Sequence, residues 1–314
     1  LYEELAWGGA RPSLLGPALL DAEPKAELQP AFGRAGFWVL AVIDGPRGTS
    51  EPARAAELLR RYARGRPIHV QAWVPDAAAY QGLTADVEAW GAQVTAALPA
   101  AERLTQAREA RERGATLGQL CLLSPTLAVV GTVSAREAVS LAPGGRQRMR
   151  RGPDAPSRAA MKLDEALETL GVGPDKGDLC VDLGAAPGGW TQRLLERGAK
   201  VVAVDPGPLR RDLAAHPKVQ HFKESAFHYT PEAPADWLFC DMAWRPLEVA
   251  QLLAKWARSG WADALCANFK LPMKDKNPLL FRVRATLADA GWRRLAIRQL
   301  YHDRDEVTVT AWRR

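Results

Sequence analysis

One stretch constrains this chain more than any other: Val181-Asp182-Leu183-Gly184-Ala185-Ala186-Pro187-Gly188-Gly189-Trp190. It runs an apolar strand into a glycine turn and then into a helical stretch over residues 191–197. Glycines at such a turn let backbone amides come close to a ligand at a helix N-terminus. The same rhythm recurs around it. Leu179-Cys180-Val181, residues 201–204, Trp237-Leu238-Phe239 and Ala264-Leu265-Cys266 are short apolar runs, each followed by a turn and a helical pattern, which is the signature of βαβ units. The runs are nearly continuous in apolar residues, as parallel strands covered on both faces require. Residues 294–300 and 307–312 are separated only by residues 301–306, so the chain is expected to finish with an antiparallel hairpin. The expected fold class is α/β.

The glycine spacing is informative. Gly184 is followed by Gly188 and Gly189, which is not the G-x-G-x-x-G that places a dinucleotide pyrophosphate, so a different nucleotide is indicated. Asp205 ends the run 201–204, where a carboxylate can accept both hydroxyls of a ribose; alone it would equally well begin the turn at Pro206-Gly207-Pro208. Ligands of open α/β sheets bind outside the carboxyl ends of the strands, which singles out polar residues just after apolar runs. Asp241 closes one such run and Lys270 follows Ala267-Asn268-Phe269. Lys162 lies in a helix opened by Ser157-Arg158, and Glu306 enters the last strand.

The phrase D-L-G-A-A-P-G-G-W resembles the cofactor loop of S-adenosylmethionine-dependent methyltransferases of the FtsJ type, which methylate ribose 2′-hydroxyls of RNA. The resemblance implies a Rossmann-like domain with a mostly parallel seven-stranded sheet and an antiparallel last strand. It implies that Asp182, Gly184, Ala186, Pro187, Gly188 and Gly189 surround the methionine end of the cofactor. Trp190 would pack near it, Asp205 would take the cofactor ribose, and Asp241 would border the cofactor. Ser225 stands where that type has an acid reaching the adenine, with Glu224 beside it. A ribose hydroxyl is a poor nucleophile until it loses its proton, and a lysine can take that proton if desolvation or nearby cations disfavour its charged form. Lys162, Asp241, Lys270 and Glu306, with the flanks P-S-R-A-A-M-K-L-D-E, C-D-M-A, N-F-K-L-P-M-K and Y-H-D-R-D-E-V-T-V, resemble the Lys-Asp-Lys-Glu catalytic set of the 2′-O-methyltransferases. By that resemblance Lys270 is the base, Asp241 and Glu306 orient it and the ribose, and Lys162 assists electrostatically. Within the type, F-K-L-P-M-K and L-Y-H-D-R-D-E-V-T-V are most similar to the bacterial ribosomal RNA large subunit methyltransferase M group, which methylates a cytidine ribose of 23S rRNA. This likeness covers about residues 154–314 and departs at Ala159, where that group has a serine.

The preceding half reads differently. Residues 37–43 and 68–74 look like strands, 52–63 and 83–98 like helices, and 119–133 like a strand or hairpin broken at Ser124-Pro125, giving a smaller α+β domain. The group resembled carries an N-terminal THUMP domain that binds RNA, so this half is expected to be THUMP-like. Residues 142–153 combine turn formers with four arginines and read as an exposed connector. The expected organisation is therefore residues 1–145 as the RNA-binding domain, 146–156 as a basic linker and 157–314 as the methyltransferase domain. Arg103, Arg108, Arg111 and Arg113 sit among Glu102, Glu109 and Glu112, so a helical, salt-bridged, solvated face is favoured there over an RNA surface.

The 314 residues carry a net charge of +6, and the pI is near 9.3, which attracts a polyanion at long range. Lys274 and Lys276, with Arg146, Arg148, Arg150 and Arg151, are candidate phosphate contacts; Trp7, Trp73, Trp90 and Trp261 are candidate stacking residues, although packing is the commoner role of tryptophan. Cys121, Cys180, Cys240 and Cys266 are widely separated, as are His69, His216, His221, His228 and His302, so no metal is expected. No apolar run is long enough for a bilayer, and a cytoplasmic location is expected. The expected partner is ribosomal RNA. Two rival readings are a nicotinamide-dependent dehydrogenase, which shares the glycine turn and the acid at Asp205, and a non-catalytic RNA-binding descendant of a methyltransferase.

Overall fold

The computed structural model describes every residue except Gly8, Pro17, 24–30, 44–50, 148–158, Arg304 and Arg314. The chain begins with helix α1 (Tyr2–Trp7) and a short antiparallel ribbon of β1 (Ser13–Gly16) and β2 (Leu19–Asp21). There follow β3 (Trp38–Ile43), α2 (Glu51–Ala63), β4 (Ile68–Trp73), α3 (Thr84–Ala97), α4 (Ala107–Arg113), β5 (Thr116–Ser124) and β6 (Leu127–Ser134). These four strands, β3 to β6, form a sheet in the order β3-β6-β5-β4, in which β4 and β5 run parallel and the other pairs antiparallel. The anticipated break at Ser124-Pro125 is the turn of the β5–β6 hairpin. On α2, Ala55, Ala56, Leu59 and Ala63 recur at helical spacing and are buried. They pack with Val87, Trp90 and Val94 of α3 against Leu120, Leu122 and Val130 of the sheet.

The arginine-rich stretch is only partly the expected solvated helix. Arg108 pairs with Glu112 and Arg113 with Glu109, one turn apart on α4. Arg103 lies outside α4 and donates to the carbonyls of Leu98 and Ala96, both at 2.6 Å, satisfying the otherwise unpaired C-terminal end of α3. Arg111 turns inward and donates to Ala135, Ala138 and Thr169 carbonyls, so it ties the first half of the chain to the second. The first part of the expected connector is also packed rather than free: Arg146 pairs with Asp76, and just before the segment Leu141 O accepts Gln71 Nε2–H at 2.6 Å. Arg148, Arg150, Arg151, Ser157 and Arg158 lie outside the described residues.

The second half contains α5 (Ala159–Leu170), β7 (Leu179–Leu183), α6 (Gly189–Glu196), β8 (Lys200–Val204), α7 (Arg211–Ala214) and β9 (Val219–Phe222). It continues through β10 (Ala235–Cys240), α8 (Pro246–Arg258), β11 (Ala262–Lys270), α9 (Lys276–Asp289), β12 (Arg293–Arg298) and β13 (Glu306–Trp312). Its seven strands are ordered β12-β13-β11-β10-β7-β8-β9, and β13 alone runs against the rest. Alternate residues of each strand face opposite layers. Val181, Leu183, Leu238, Cys240, Leu265 and Phe269 pack on α8 and α9, whereas Cys180, Phe239 and Cys266 pack on α5 and α6. Both faces being covered explains why the runs read as continuously apolar. Strand β12 stops short of the expected Leu300 because Asp303 accepts the Leu300 N–H at 2.9 Å and turns the chain.

The earliest residues rest on this second half. Glu4 of α1 accepts the Ala31 and Phe32 N–H groups, Ala31 O in turn accepts Gln299 N–H at 2.7 Å, and α1 lies on α9.

Candidate active site

The carboxyl ends of the parallel strands β11, β10, β7 and β8 lie side by side, the place where open α/β sheets form a ligand crevice, and the glycine loop leads out of β7 there. Gly184 and Gly188 have φ of +79° and +113°, a left-handed backbone that side-chain-bearing residues rarely adopt. Gly184 N–H donates to Val204 O, closing the loop onto β8. Beneath it, Asp182 is 1% exposed and accepts the Thr191 hydroxyl at 2.7 Å through Oδ2. Burial pushes the Asp182 carboxyl up to about 7, against the pull of the Thr191 hydroxyl. Asp182 Oδ1 is buried with no partner among the described residues. Trp190 is 3% exposed and packs edge-on against Phe239, so it buttresses the loop from the core side.

Asp205, half-buried at the end of β8, accepts Ala186 N–H at 3.2 Å and Gly207 N–H at 2.7 Å. Each oxygen keeps a lone pair for a further donor. Ser225 lies past β9, where its hydroxyl accepts Phe227 N–H at 3.4 Å. Half-buried Glu224 precedes it.

The four charged residues singled out in the sequence meet at the other side of the crevice. Lys270 and Glu306 face one another across the β11–β13 ladder. Lys270 Nζ donates to Glu306 Oε2 at 2.7 Å and to Asp241 Oδ1 at 3.2 Å, and Lys162 Nζ reaches from α5 to Glu306 Oε2 at 2.5 Å. Two ammonium groups and two carboxylates thus share one partly buried cluster with no formal net charge. Burial lowers the Lys270 pKa, but the Asp241 and Glu306 carboxylates outweigh it and leave the group above its ordinary value. For Glu306 burial acts upward and the two lysines prevail, holding it below the usual carboxylate range. The free chain therefore holds Lys270 as an ammonium.

Around this cluster stand residues that sequence reasoning missed. Asn268, fully buried, donates to Asp241 Oδ1 at 3.3 Å, and Thr308 donates to Asn268 Oδ1 at 2.7 Å. Asp303 is 5% exposed, and burial raises its carboxyl to about 6. Glu165, one helical turn after Lys162, accepts the N–H groups of Tyr301 and His302 and contacts His302 Nδ1 at 2.7 Å, anchoring the loop that leads into Glu306. The two-residue period linking Asn268 to Lys270 and Thr308 to Glu306 was a usable signal for the first pair.

Of the other candidates, Lys276 pairs with Asp305, and Lys274 is exposed beside Met273, which is 91% exposed. Trp73 and Trp90 are core residues, Trp261 packs on Trp256, and the side chain of Trp7 lies outside the description. Among the described residues no group of three or more histidine, cysteine or acidic side chains is arranged to hold a metal, and no helix is long and apolar enough to cross a membrane.

A seven-stranded sheet with one reversed strand, a glycine loop after its first strand and an acid after its second define a Rossmann-like, S-adenosylmethionine-dependent methyltransferase. The FtsJ-like methyltransferase family matches residues 155–255. Ribosomal RNA large subunit methyltransferase M of Xanthomonas campestris pv. campestris is 36% identical over 297 residues, covering 90% of this chain and 82% of that protein. The chain belongs to the ribosomal RNA large subunit methyltransferase M family. The protein of that name from Laribacter hongkongensis is 47% identical over 178 residues, which span 53% of this chain but only 50% of that protein. The pre-rRNA processing protein fibrillarin of Methanococcus jannaschii superposes with a TM-score of 0.41 at 13% identity, over 62% of this chain and 82% of that one, too loosely to add to the assignment. Family membership sets aside the dehydrogenase reading. The residues fit the cofactor of this class: Asp182 Oδ1 is buried without a partner among the described residues, and each Asp205 oxygen accepts one backbone amide and keeps a lone pair for a further donor.

Proposed function

We propose that this chain transfers a methyl group from S-adenosylmethionine to the ribose 2′-hydroxyl of a cytidine in 23S ribosomal RNA, with Lys270 as general base. The observation that carries the reading is the meeting of Lys162 from α5, Asp241 just past β10, Lys270 from β11 and Glu306 from β13 in one hydrogen-bonded cluster. Bound S-adenosylmethionine supplies an electrophilic sulfonium methyl and brings one more positive charge to a crevice that already holds two lysines, which disfavours an ammonium. Once its ammonium has given a proton to solvent, the neutral Lys270 Nζ would accept the hydroxyl proton while the ribose oxygen bonds the methyl carbon and the S–CH3 bond breaks, the sulfur leaving as a neutral thioether; Asp241 and Glu306 aim the amine by the bonds they already make. Lys162 neutralises Glu306, so that Lys270 is not held protonated by two unopposed carboxylates. Asp182 and the loop from Gly184 to Gly189 hold the methionine end of the cofactor, Asp205 its ribose, and Ser225 with Glu224 the adenine side.

The net charge of +6 and the names of the relatives support ribosomal RNA as the partner. We assign the RNA-positioning role to a THUMP-like domain over residues 1–145, joined by a linker over 146–156 to the methyltransferase domain over 157–314, acting in the cytoplasm. The test uses labelled cofactor and unmodified ribosomal RNA followed by alkaline digestion, because a methylated 2′-oxygen cannot assist cleavage of its neighbouring phosphodiester. A labelled dinucleotide is expected. Lys270→Ala should slow its formation by about 10²- to 10⁴-fold, with cofactor affinity within a few fold of the parent. Undiminished transfer by that variant overturns the base assignment, and RNA binding without any label overturns catalysis itself.

A further inference from the structure

Asn268 and Lys270 lie two residues apart on β11 and so project from the same face of the strand. Both reach one atom: Asp241 Oδ1 accepts Asn268 Nδ2 at 3.3 Å and Lys270 Nζ at 3.2 Å. An ionised carboxylate can only accept hydrogen bonds, so the amide nitrogen of Asn268 must face Asp241 and its oxygen must face elsewhere. That oxygen accepts the Thr308 hydroxyl at 2.7 Å. Thr308, 2% exposed, stands opposite Asn268 in the β11–β13 register, as Glu306 stands opposite Lys270. The Asn268–Thr308 rung therefore lies directly under the Lys270–Glu306 rung and locks the amide in one orientation. Asp303 Oδ2, held by Leu300 N–H, lies 3.3 Å from the same hydroxyl.

We propose that Asn268 is a positioning residue that, by sharing Asp241 Oδ1 with Lys270, fixes the Asp241 carboxylate and loosens its hold on the Lys270 ammonium, so that the neutral amine is reached more easily. The inference rests on the reading of Lys270 as the base. The charged and titratable groups around Lys270 are Asp241 and Cys240 at the end of β10, Glu306 on β13 and Lys162 on α5. Asp303 in the loop before β13 and Asp182 at the end of β7 lie farther out. The carboxylates in direct contact with Lys270 favour its charged form. Asn268 acts the other way, because a carboxylate oxygen that already accepts a neutral donor has less negative potential to offer an ammonium.

The experiment uses the whole chain and two substitutions, Asn268→Ala and the near-isosteric Thr308→Val, which keeps the packing and frees the amide. Lysine side-chain NMR of the cofactor-free protein, with the Lys270 resonance assigned by its loss in Lys270→Met, reads the titration of the amine. Single-turnover methylation at saturating cofactor and RNA reads the rate against pH. Both substitutions are expected to move the Lys270 midpoint and the rising limb of the rate profile upward by about 0.5 to 1 pH unit. That lowers the rate at pH 7 roughly threefold to tenfold and lets it converge with the parent at high pH. A drop of the same size at every pH, with the Lys270 midpoint unmoved in Thr308→Val, overturns the proposal and leaves Asn268 a purely structural residue. If Lys270→Met itself retains methyl transfer, the base reading fails separately, while the amine titration still decides whether Asn268 acts on Lys270.

Discussion

Replacing Asp182 with asparagine, Asp182→Asn, removes one carboxylate from beneath the glycine loop and leaves Thr191 an oxygen to donate to. Burial carries the Asp182 carboxyl from an ordinary value of 3.8 up to about 7 in the folded chain. At about 1.4 kcal/mol per pH unit, a difference of about three units corresponds to a folding contribution on the order of 4 kcal/mol. The folded value lies above the unfolded one, so the native chain binds this proton more tightly than the unfolded chain. The contribution is complete below about pH 4 and is lost as the pH climbs through about 7. Asparagine cannot ionise and is indifferent to the change. Urea unfolding of the cofactor-free parent and variant at intervals between about pH 4.5 and pH 8.5 isolates the effect, since Asp303, which burial shifts in the same direction, is common to both and cancels. The stability of the variant relative to the parent should rise by about 1.4 kcal/mol per pH unit up to about pH 7 and then level off. A difference that stays flat within about 0.5 kcal/mol across the range would refute the argument that burial governs this carboxyl.

Two further outcomes test the packing of the glycine loop and of the buried thiols. A β-carbon at Gly184 would come within 2.8 Å of Met242 Cγ and 3.2 Å of the Met242 backbone, next to Asp241, and one at Gly188 would run into Leu213 Cδ1. With their left-handed backbones, Gly184→Ala and Gly188→Ala should each cost about 1–3 kcal/mol in thermal or urea unfolding and weaken cofactor binding by calorimetry; unchanged affinity in both would show that the loop does not line the cofactor site. Burial holds the Cys121 and Cys240 thiols up at about 12 and raises Cys180 and Cys266 as well. A thiol reagent such as Ellman's at pH 8 should therefore leave the native protein nearly unmodified and label all four cysteines in urea; rapid native labelling would contradict their burial.

Much of the methyltransferase half was legible because its signals are local. Continuous apolar runs mark strands covered on both faces, the Gly184-to-Gly189 loop marks the turn into α6, and Asp241 and Lys270 stand just past apolar runs where ligands collect. Other features were not legible because the partner decides the role. Arg103 and Arg111 share the composition of a solvated helix face, yet one caps α3 and the other bridges the two halves of the chain. Glu165 reads like any helical acid until the loop at Tyr301 and His302 is laid upon it. Asn268 was readable only as a same-face neighbour of Lys270 on one strand, and Thr308 is a polar strand residue whose value lies wholly in the β11–β13 register.

Order of elements, fold class and the identity of the charged residues were determined by the chain on its own, since periodicity, glycine spacing and polar positions at strand ends are properties of neighbours in sequence. Whether Lys162 meets Glu306, 144 residues away, and in what ionisation state Lys270 waits, only the tertiary structure decided. Coulombic interaction and desolvation depend on distance and burial, and neither is written in the spacing of residues along a strand.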